Sequence, residues 1–239
     1  MTKSDIRTQT IAELQKSFAT MGQPAYRAKQ VFDWMWKLGA KGFDDMSNVP
    51  AALRQELSDR FTFESIILDV RQNSADGTVK SRYKLHDGYK IETVMIPVPE
   101  DRRSTACVSS QVGCSLTCSF CATGKMGRLR NLTAGEIYDQ AFDTNKLSQE
   151  MLGYPLTNIV YMGMGEPLLN YGPVMESIHK ITSPEGMAWS PRRITLSTAG
   201  IAKMIRRLGD EKVKFNLALS LHAADDNKRN QIMPINETN

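Results

Sequence analysis

The pattern of apolar and polar positions changes character twice along the chain. Between residues 1 and 60 the apolar residues recur at helical spacing, most clearly from 25 to 38, which predicts a small helical domain. Between residues 61 and 104 apolar and polar positions alternate, and two Asp-Gly pairs mark turns. This second part is expected to be a strand-rich connector.

From residue 105 to 239, short apolar runs are each followed by a loop and an amphipathic stretch, which indicates four strand–helix units. The strands are expected near residues 106–110, 158–163, 193–198 and 215–221, with helices following from Thr133, Pro173, Ala199 and Asp225. Such units build a parallel sheet with helical crossovers, and functional groups gather at the carboxyl ends of its strands. The predicted fold class is therefore α/β.

Composition and charge narrow the choice of partners and compartment. The 239 residues include 30 Lys and Arg against 26 Asp and Glu, and the net charge of +4 permits a nucleic-acid partner without requiring one. No apolar run approaches the roughly 18 residues of a membrane span, and residues 1–15 do not resemble a signal peptide. We therefore expect a cytoplasmic protein without a membrane partner. All four cysteines fall between 107 and 121, which suits a metal site in a reducing compartment better than disulfides.

Cys114, Cys118 and Cys121 follow the first predicted strand of the α/β part with Cys-x3-Cys-x2-Cys spacing. Three thiolates from one loop leave one metal position without a protein ligand, whereas a structural zinc or a closed cluster takes four. The spacing therefore predicts a [4Fe-4S] cluster whose fourth iron binds S-adenosylmethionine (SAM). Two alternatives are open, namely a zinc site completed by Cys107 or a histidine, and a chance clustering of buried thiols.

Small and polar residues end the other three predicted strands. Segment 163–167 (Gly-Met-Gly-Glu-Pro) lets a ligand approach the backbone, and Glu166 offers an acceptor for an amino group such as that of SAM. Segments 196–200 and 219–223 place Ser, Thr and His where carboxylate and ribose contacts would lie. A plain tight turn explains the first segment about as well, helix capping explains the other two, and His222 alone is typical of a structural histidine.

Basic residues surround the cysteine loop, including Lys125 and Arg128 on its carboxyl side. Most such charges are solvated, but a basic rim around a reactive site suits a phosphate backbone. Trp34 and Trp36 could stack on bases. At i and i+2 they face different sides of a helix, so at least one is expected in the core.

Five segments, taken in order with the cysteine loop, resemble one family. They are Ile91-Glu92-Thr93-Val94, the run from Cys107 to Cys114, Gly163 to Pro167, Ser197 to Gly200, and Ser220 to Ala223. They resemble the radical SAM RNA adenine methyltransferases, specifically the adenine-C2 methylases of 23S rRNA and tRNA, over nearly the whole chain. The resemblance implies a helical domain over residues 1–60 that engages RNA, a connector over 61–104, and a partial (β/α)6 radical SAM barrel over 105–239.

The resemblance also implies a role for each candidate residue. Cys114, Cys118 and Cys121 would hold the cluster, Glu92 matches the proton acceptor of the family, and Cys107 matches a cysteine near its catalytic centre. Contacts to SAM would come from Gly165, Glu166, Ser197, Ser220, Leu221 and His222. The implied partners are 23S rRNA, tRNA and an electron donor such as flavodoxin or ferredoxin, and the protein is expected to act as a monomer.

In the family a first SAM methylates a cysteine, and a second SAM starts the radical chemistry that moves this methyl group to C2 of adenine. A radical route is needed because C2 is electrophilic and has no lone pair to attack a methyl sulfonium. The methyl-carrying cysteine lies near the C-terminus of family members, and no residue of this sequence matches it. The sequence also contains four strand–helix units, whereas the partial barrel of the family has six.

We therefore predict that the sequence is a fragment with a C-terminally truncated barrel, able to bind the cluster but not to turn over. Three alternatives for its function are open. They are the C8-specific rRNA adenine methyltransferase, a radical SAM enzyme of another class such as an activase or a methylthiotransferase, and a zinc-stabilised RNA-binding module without catalysis.

Overall fold

A computed structural model describes residues 3–237 of the chain. The α-helices in this range are α1 (Ile11–Thr20), α2 (Ala25–Trp36), α3 (Ala51–Arg60), α4 (Ala134–Leu152), α5 (Tyr171–Thr182), α6 (Ala202–Asp210) and α7 (Asp226–Ile232). The strands are β1 (Ser4–Asp5), β2 (Phe61–Thr62), β3 (Ile67–Asn73), β4 (Val79–Lys84), β5 (Lys90–Val98), β6 (Arg103–Cys107), β7 (Gln111–Val112), β8 (Arg130–Asn131), β9 (Asn158–Tyr161), β10 (Ile194–Thr198) and β11 (Asn216–Leu219).

Seven of these strands form one sheet in the order β11-β10-β9-β6-β5-β4-β3. The neighbours β6, β9, β10 and β11 pair in parallel, and each is followed by a helix, which confirms the four predicted strand–helix units and the α/β class. The strands of the predicted connector, β3 to β5, pair antiparallel and join β6. The connector therefore extends the barrel sheet and gives it a mixed character.

Side chains alternate between the two faces of the sheet, as the pleat requires. In β5, Ile91, Thr93 and Met95 are buried on the face that α4 covers, and the Thr93 hydroxyl donates to Oε1 of Gln140 in that helix at 2.8 Å. Glu92 lies on the opposite face. We call this opposite face, which also carries the less buried Val94 and Ile96, the inner face.

Local capping signals place two helices where the sequence predicts them. The Thr133 hydroxyl accepts the amide of Glu136 at 3.2 Å, and the Glu136 carboxylate accepts the amide of Thr133 at 2.9 Å, which completes a capping box ahead of α4. Asp225 accepts the amide of Lys228 at 2.9 Å and starts α7. These capping hydrogen bonds join residues only three positions apart, so the sequence alone indicates them. Both helices begin where the sequence predicts.

Several boundaries differ from the predicted ones, for example the helix expected from Pro173, which begins at Tyr171. Long-range contacts explain two of these differences. The first barrel strand ends at Cys107 instead of Ser110, since the amide of Ser109 turns away to Oε1 of Gln140 at 2.8 Å. The helix expected from Ala199 starts at Ala202, because Ala199 donates its amide to a side chain of another loop and the following glycine has φ +110°.

The N-terminal helices pack directly against α4. Trp36 is fully buried, its ring meets Tyr138 edge-on at 5.1 Å, and the Tyr138 hydroxyl donates to the Trp36 carbonyl. Arg7 is buried and lies 3.0 Å from the Asp139 carboxylate. Trp34 stays partly exposed and donates to Asn48. Helical unit and barrel thus share one hydrophobic core. In the described residues no helix is long and apolar enough to cross a membrane.

Candidate metal and cofactor site

The loops that follow β6, β9, β10 and β11 meet at the carboxyl ends of these strands around a cavity of about 250 Å³. Eight of the residues singled out from the sequence line it. They are Cys114, Cys118, Cys121, Gly165, Glu166, Ser197, Ser220 and His222. Segments up to about a hundred residues apart in the chain therefore build one site, at the edge of the sheet where the strand–helix pattern predicts it.

The cysteines lie on a hairpin that leaves and rejoins the barrel at one point. Strands β7 and β8 pair antiparallel, so residues 113–129 form an excursion between them. Gly113 has φ +77°, and a Cβ there would lie 1.7 Å from the carbonyl oxygen of Gly127, so the neck of the hairpin closes only around a glycine. The amide of Cys121 donates to the carbonyl of Cys118 at 3.0 Å, and this turn directs the thiols toward the cavity.

Burial raises the pKa of the Cys114 and Cys118 thiols above the usual value, although nearby backbone amides partly offset the effect. Without a cation these thiols would remain neutral, and a bound metal centre is what converts them to thiolates. In the described part of the chain, no three His, Cys, Asp or Glu side chains converge on the position of a single metal ion. Thiolates that bind separate irons of one cluster do not need to converge. Three thiols from one loop on the cavity wall therefore fit a cluster.

Glu166 ties three loops together at the floor of the cavity. Its amide donates to Oε1 of Gln111 at 2.9 Å, while its carboxylate accepts the amides of Leu168 at 3.1 Å and Ala199 at 2.8 Å. Burial raises the pKa of this carboxyl. A carboxylate has about four acceptor positions, so two amides leave capacity for a ligand amino group. The residue holds the loops and still fits its predicted contact.

Gly165 allows the Glu166 loop to approach the cysteine hairpin. Its φ is +97°, and a Cβ there would lie 2.5 Å from the Cβ of Gln111. Any side chain at this position would strain the backbone and push apart the two loops that line the cavity. This is a geometric requirement for glycine, in addition to that of a tight turn.

Residues from the last two strands complete the opposite wall. The hydroxyls of Ser197 and Ser220 share a hydrogen bond at 3.0 Å. His222 follows β11, and its ring centroid lies 4.4 Å from that of Phe120 on the hairpin. Its backbone φ is +59°. Leu221 is 47% exposed and does not line the cavity, so its contact with SAM stays a prediction.

Glu92 and Cys107 lie outside the cavity lining but on the inner face of the sheet. Val94, which shares a face with Glu92, pairs in register with Cys107 on β6. The Glu92 carboxylate lies 3.2 Å from Nζ of Lys80. Burial raises the pKa of the Cys107 thiol, and the amide of Met162 partly offsets this. Both residues lie on the inner face, and their catalytic roles stay predictions.

A buried polar network behind the site is absent from the sequence-based prediction. Gln140 on α4 accepts from Thr93 and Ser109 at 2.8 Å each and donates to the Ser109 carbonyl at 3.1 Å. Asn170 donates to the carbonyls of Ser110 and Leu132. The available signal was a glutamine on the apolar stripe of a helix, where an uncharged amide indicates a satisfied buried network.

Comparisons with known proteins agree with this geometry. The family model of the radical SAM superfamily matches residues 108–238, and that of the ribosomal RNA large subunit methyltransferase N-terminal domain matches residues 5–63. The probable dual-specificity RNA methyltransferase RlmN of Cytophaga hutchinsonii is 56% identical over 99% of this chain and 64% of its own length. The corresponding protein of Christiangramia forsetii is 52% identical over 99% of this chain and 66% of its own length.

The fold comparison gives the same result. The crystal structure of a radical SAM methyltransferase from Sphaerobacter thermophilus superimposes with a TM-score of 0.89 at 42% identity, covering 98% of this chain and 68% of that one. The chain thus spans a little under two thirds of the length of the first curated relative.

Proposed function

This chain belongs to the radical SAM superfamily and, within it, to the dual-specificity RNA methyltransferases, and on that premise we propose that the whole protein methylates C2 of adenine in 23S rRNA and tRNA. One observation carries the proposal. Three thiols, a buried carboxylate and two paired serine hydroxyls from four separate loops line a single cavity. A site of this kind holds an iron–sulfur cluster on one wall and a polar small molecule on the other.

In this proposal Cys114, Cys118 and Cys121 hold the cluster, and Glu166 with the Ser197–Ser220 pair orients SAM. When bound, the two groups supply one-electron chemistry at the sulfonium of SAM. The contribution of the protein is rigidity, because Glu166 and Gly165 lock the floor of the cavity to the hairpin through Gln111. Fixed loops keep the reacting atoms in place during a step that water or oxygen would otherwise intercept.

Glu92 is the proposed acceptor of the proton that leaves adenine C2, and Cys107 is proposed to lie beside the same base. Both residues are on the inner face, where a base entering from the mouth of the barrel would lie against the sheet. The Glu92 carboxylate forms an ion pair with Nζ of Lys80 at 3.2 Å, and this contact orients it.

The N-terminal helices are proposed to engage the RNA, and an external electron donor such as flavodoxin or ferredoxin is proposed to reduce the cluster. Because its proposed substrates are ribosomal and transfer RNA, we place the protein in the cytoplasm. We also propose that it acts as a monomer.

The test is to incubate the full-length protein, reconstituted anaerobically with iron and sulfide, with 23S rRNA, a reductant and methyl-labelled SAM. We expect labelled 2-methyladenosine in the nuclease digest. Labelled 8-methyladenosine would assign the protein to the C8-specific class instead, and no labelled adenosine would contradict the proposal.

A pair of cysteine variants separates the cluster from the later chemistry. Cys118→Ala is expected to lose iron and the change in the electron paramagnetic resonance signal on adding SAM. Cys107→Ala is expected to keep both and to lose methylation, because Cys107 lies outside the cavity. Iron loss in Cys107→Ala would show that this residue is a metal ligand, and the role proposed for it would be wrong.

A further inference from the structure

The tip of the cysteine hairpin, residues 123–129, has an outer surface that the proposed methyl transfer does not use. None of these residues lines the cofactor cavity. Met126 and Leu129 are 54% and 55% exposed, and Lys125 and Arg128 beside them are exposed as well. Apolar side chains this open, flanked by cations, are typical of a surface that binds another protein.

The tip is mechanically joined to the cluster ligands. A Cβ on Gly124 would lie 3.2 and 3.3 Å from backbone atoms of Cys118, so the tip rests directly on the ligand loop. Residues Thr123–Met126 form a short 3-10 turn, and Gly113 packs against Gly127 at the neck. A partner seated on the tip would therefore be separated from the thiols by little more than one layer of backbone.

The charge at the tip indicates the sign of the charge that a partner surface would carry. No Asp or Glu occurs between residues 102 and 135. Arg130 is neutralised by Asp87 and Glu136, with the Glu136 carboxylate at 2.7 Å. Lys125 and Arg128 form no ion pair in the described part of the chain, and Arg128 only donates to Asn131 at 3.4 Å. Two unneutralised cations beside exposed aliphatic side chains attract an acidic protein surface.

We propose that the hairpin tip, through Lys125, Met126, Arg128 and Leu129, is the docking surface for a small acidic electron-transfer protein that reduces the cluster. The inference rests on the proposed function, since only a redox centre in the adjacent loop gives such a partner a purpose. In the step, one electron leaves the reduced carrier and enters the loaded protein. The carrier is oxidised by one electron, and no covalent bond or proton passes between the proteins.

An RNA substrate fits this surface less well. Phosphates would use the two cations but not the aliphatic side chains between them, whereas Met and Arg are both enriched in protein interfaces. None of the tip residues lines the cofactor cavity.

The experiment measures binding of oxidised flavodoxin, a small acidic carrier, to the full-length protein by calorimetry at low and high salt. In the Lys125→Glu/Arg128→Glu variant we expect affinity at about 50 mM salt to fall about tenfold or more, and the difference to shrink at about 0.5 M salt. The matched control Lys203→Glu/Arg206→Glu reverses two exposed cations on α6 and is expected to stay within about twofold of the native protein. Met126→Ser/Leu129→Ser should weaken binding at both salt concentrations, since its contribution is apolar.

A second readout follows bleaching of the cluster absorbance. Reduction by flavodoxin should slow in the Lys125→Glu/Arg128→Glu variant, while reduction by dithionite stays unchanged. Unchanged flavodoxin affinity in both tip variants would overturn the proposal, and so would an equal loss in the α6 control. A loss of RNA affinity with flavodoxin binding intact would assign the tip to the substrate. Methylation driven by dithionite tests the proposed function separately, because it does not need the carrier.

Discussion

Replacing Glu166 with Gln tests whether one buried carboxylate holds the cofactor loops together. The native side chain accepts the amide of Leu168 at 3.1 Å and that of Ala199 at 2.8 Å, from two different loops. Glutamine has the same shape but only one acceptor oxygen, so its NH2 group must point at one of the two amides. The substitution therefore removes one hydrogen bond and places the side-chain NH2 group against a backbone N–H group. The volume of the side chain stays nearly the same.

The magnitude follows from the burial of the site. Leaving one buried amide without an acceptor costs about 1–3 kcal/mol, and turning the other acceptor from charged to neutral costs about 1 kcal/mol more. The neutral amide recovers part of this, because burial of the Glu166 side chain opposes the charged form and raises the pKa of the carboxyl. We therefore expect the free energy of unfolding to fall by about 2 kcal/mol.

The assay is equilibrium urea unfolding of the metal-free protein, comparing Glu166→Gln with Glu150→Gln. Glu150 is an exposed carboxylate on α4 whose one ion pair within residues 3–237 is with Lys146 at 4.0 Å, so its variant should match the native curve. Calorimetry with SAM on the reconstituted protein should show weaker binding for Glu166→Gln alone. A change in unfolding free energy below about 0.5 kcal/mol would refute the reasoning, since a buried donor cannot lose its acceptor at so small a cost.

Three further predictions concern the cysteines, Gly163 in the loop after β9, and the buried Arg7. Cys118→Ser should lower the iron content measured after reconstitution, and Cys107→Ser should leave it unchanged; equal iron in both would contradict the ligand assignment. In Gly163→Ala the new Cβ would lie 2.8 Å from a backbone nitrogen of the segment after β6. This overpacking should cost about 1–3 kcal/mol in urea unfolding and weaken SAM binding in calorimetry, and native values for both would refute it. Arg7→Met leaves the Asp139 carboxylate without its buried cation, so stability should fall by about 3–5 kcal/mol in thermal or urea unfolding; a near-native midpoint would show that Lys41 neutralises Asp139 alone.

The sequence by itself determined the features that depend on neighbours a few residues apart. The spacing of Cys114, Cys118 and Cys121 predicts a three-ligand cluster loop, because all three residues come from one short loop. The starts of α4 and α7 follow from Thr133 and Asp225, whose side chains cap amides three residues ahead. Short-range hydrogen bonds and ligand spacing depend only on residues that are close in sequence, so the sequence alone indicates them.

Only the tertiary structure decided how these parts meet. Glu166 reaches Ala199 across 33 residues, Arg7 reaches Asp139 across 132, and Gln140 joins a strand to a loop behind the site. None of these partners is marked by spacing or periodicity, because each contact depends on which helix face packs on which strand. The sequence predicted that Glu166 contacts a ligand. The tertiary structure adds that its hydrogen bonds to Gln111 and Ala199 join the loops at the floor of the cavity. A buried polar group is defined by its distant partners, and those exist only once the core has formed.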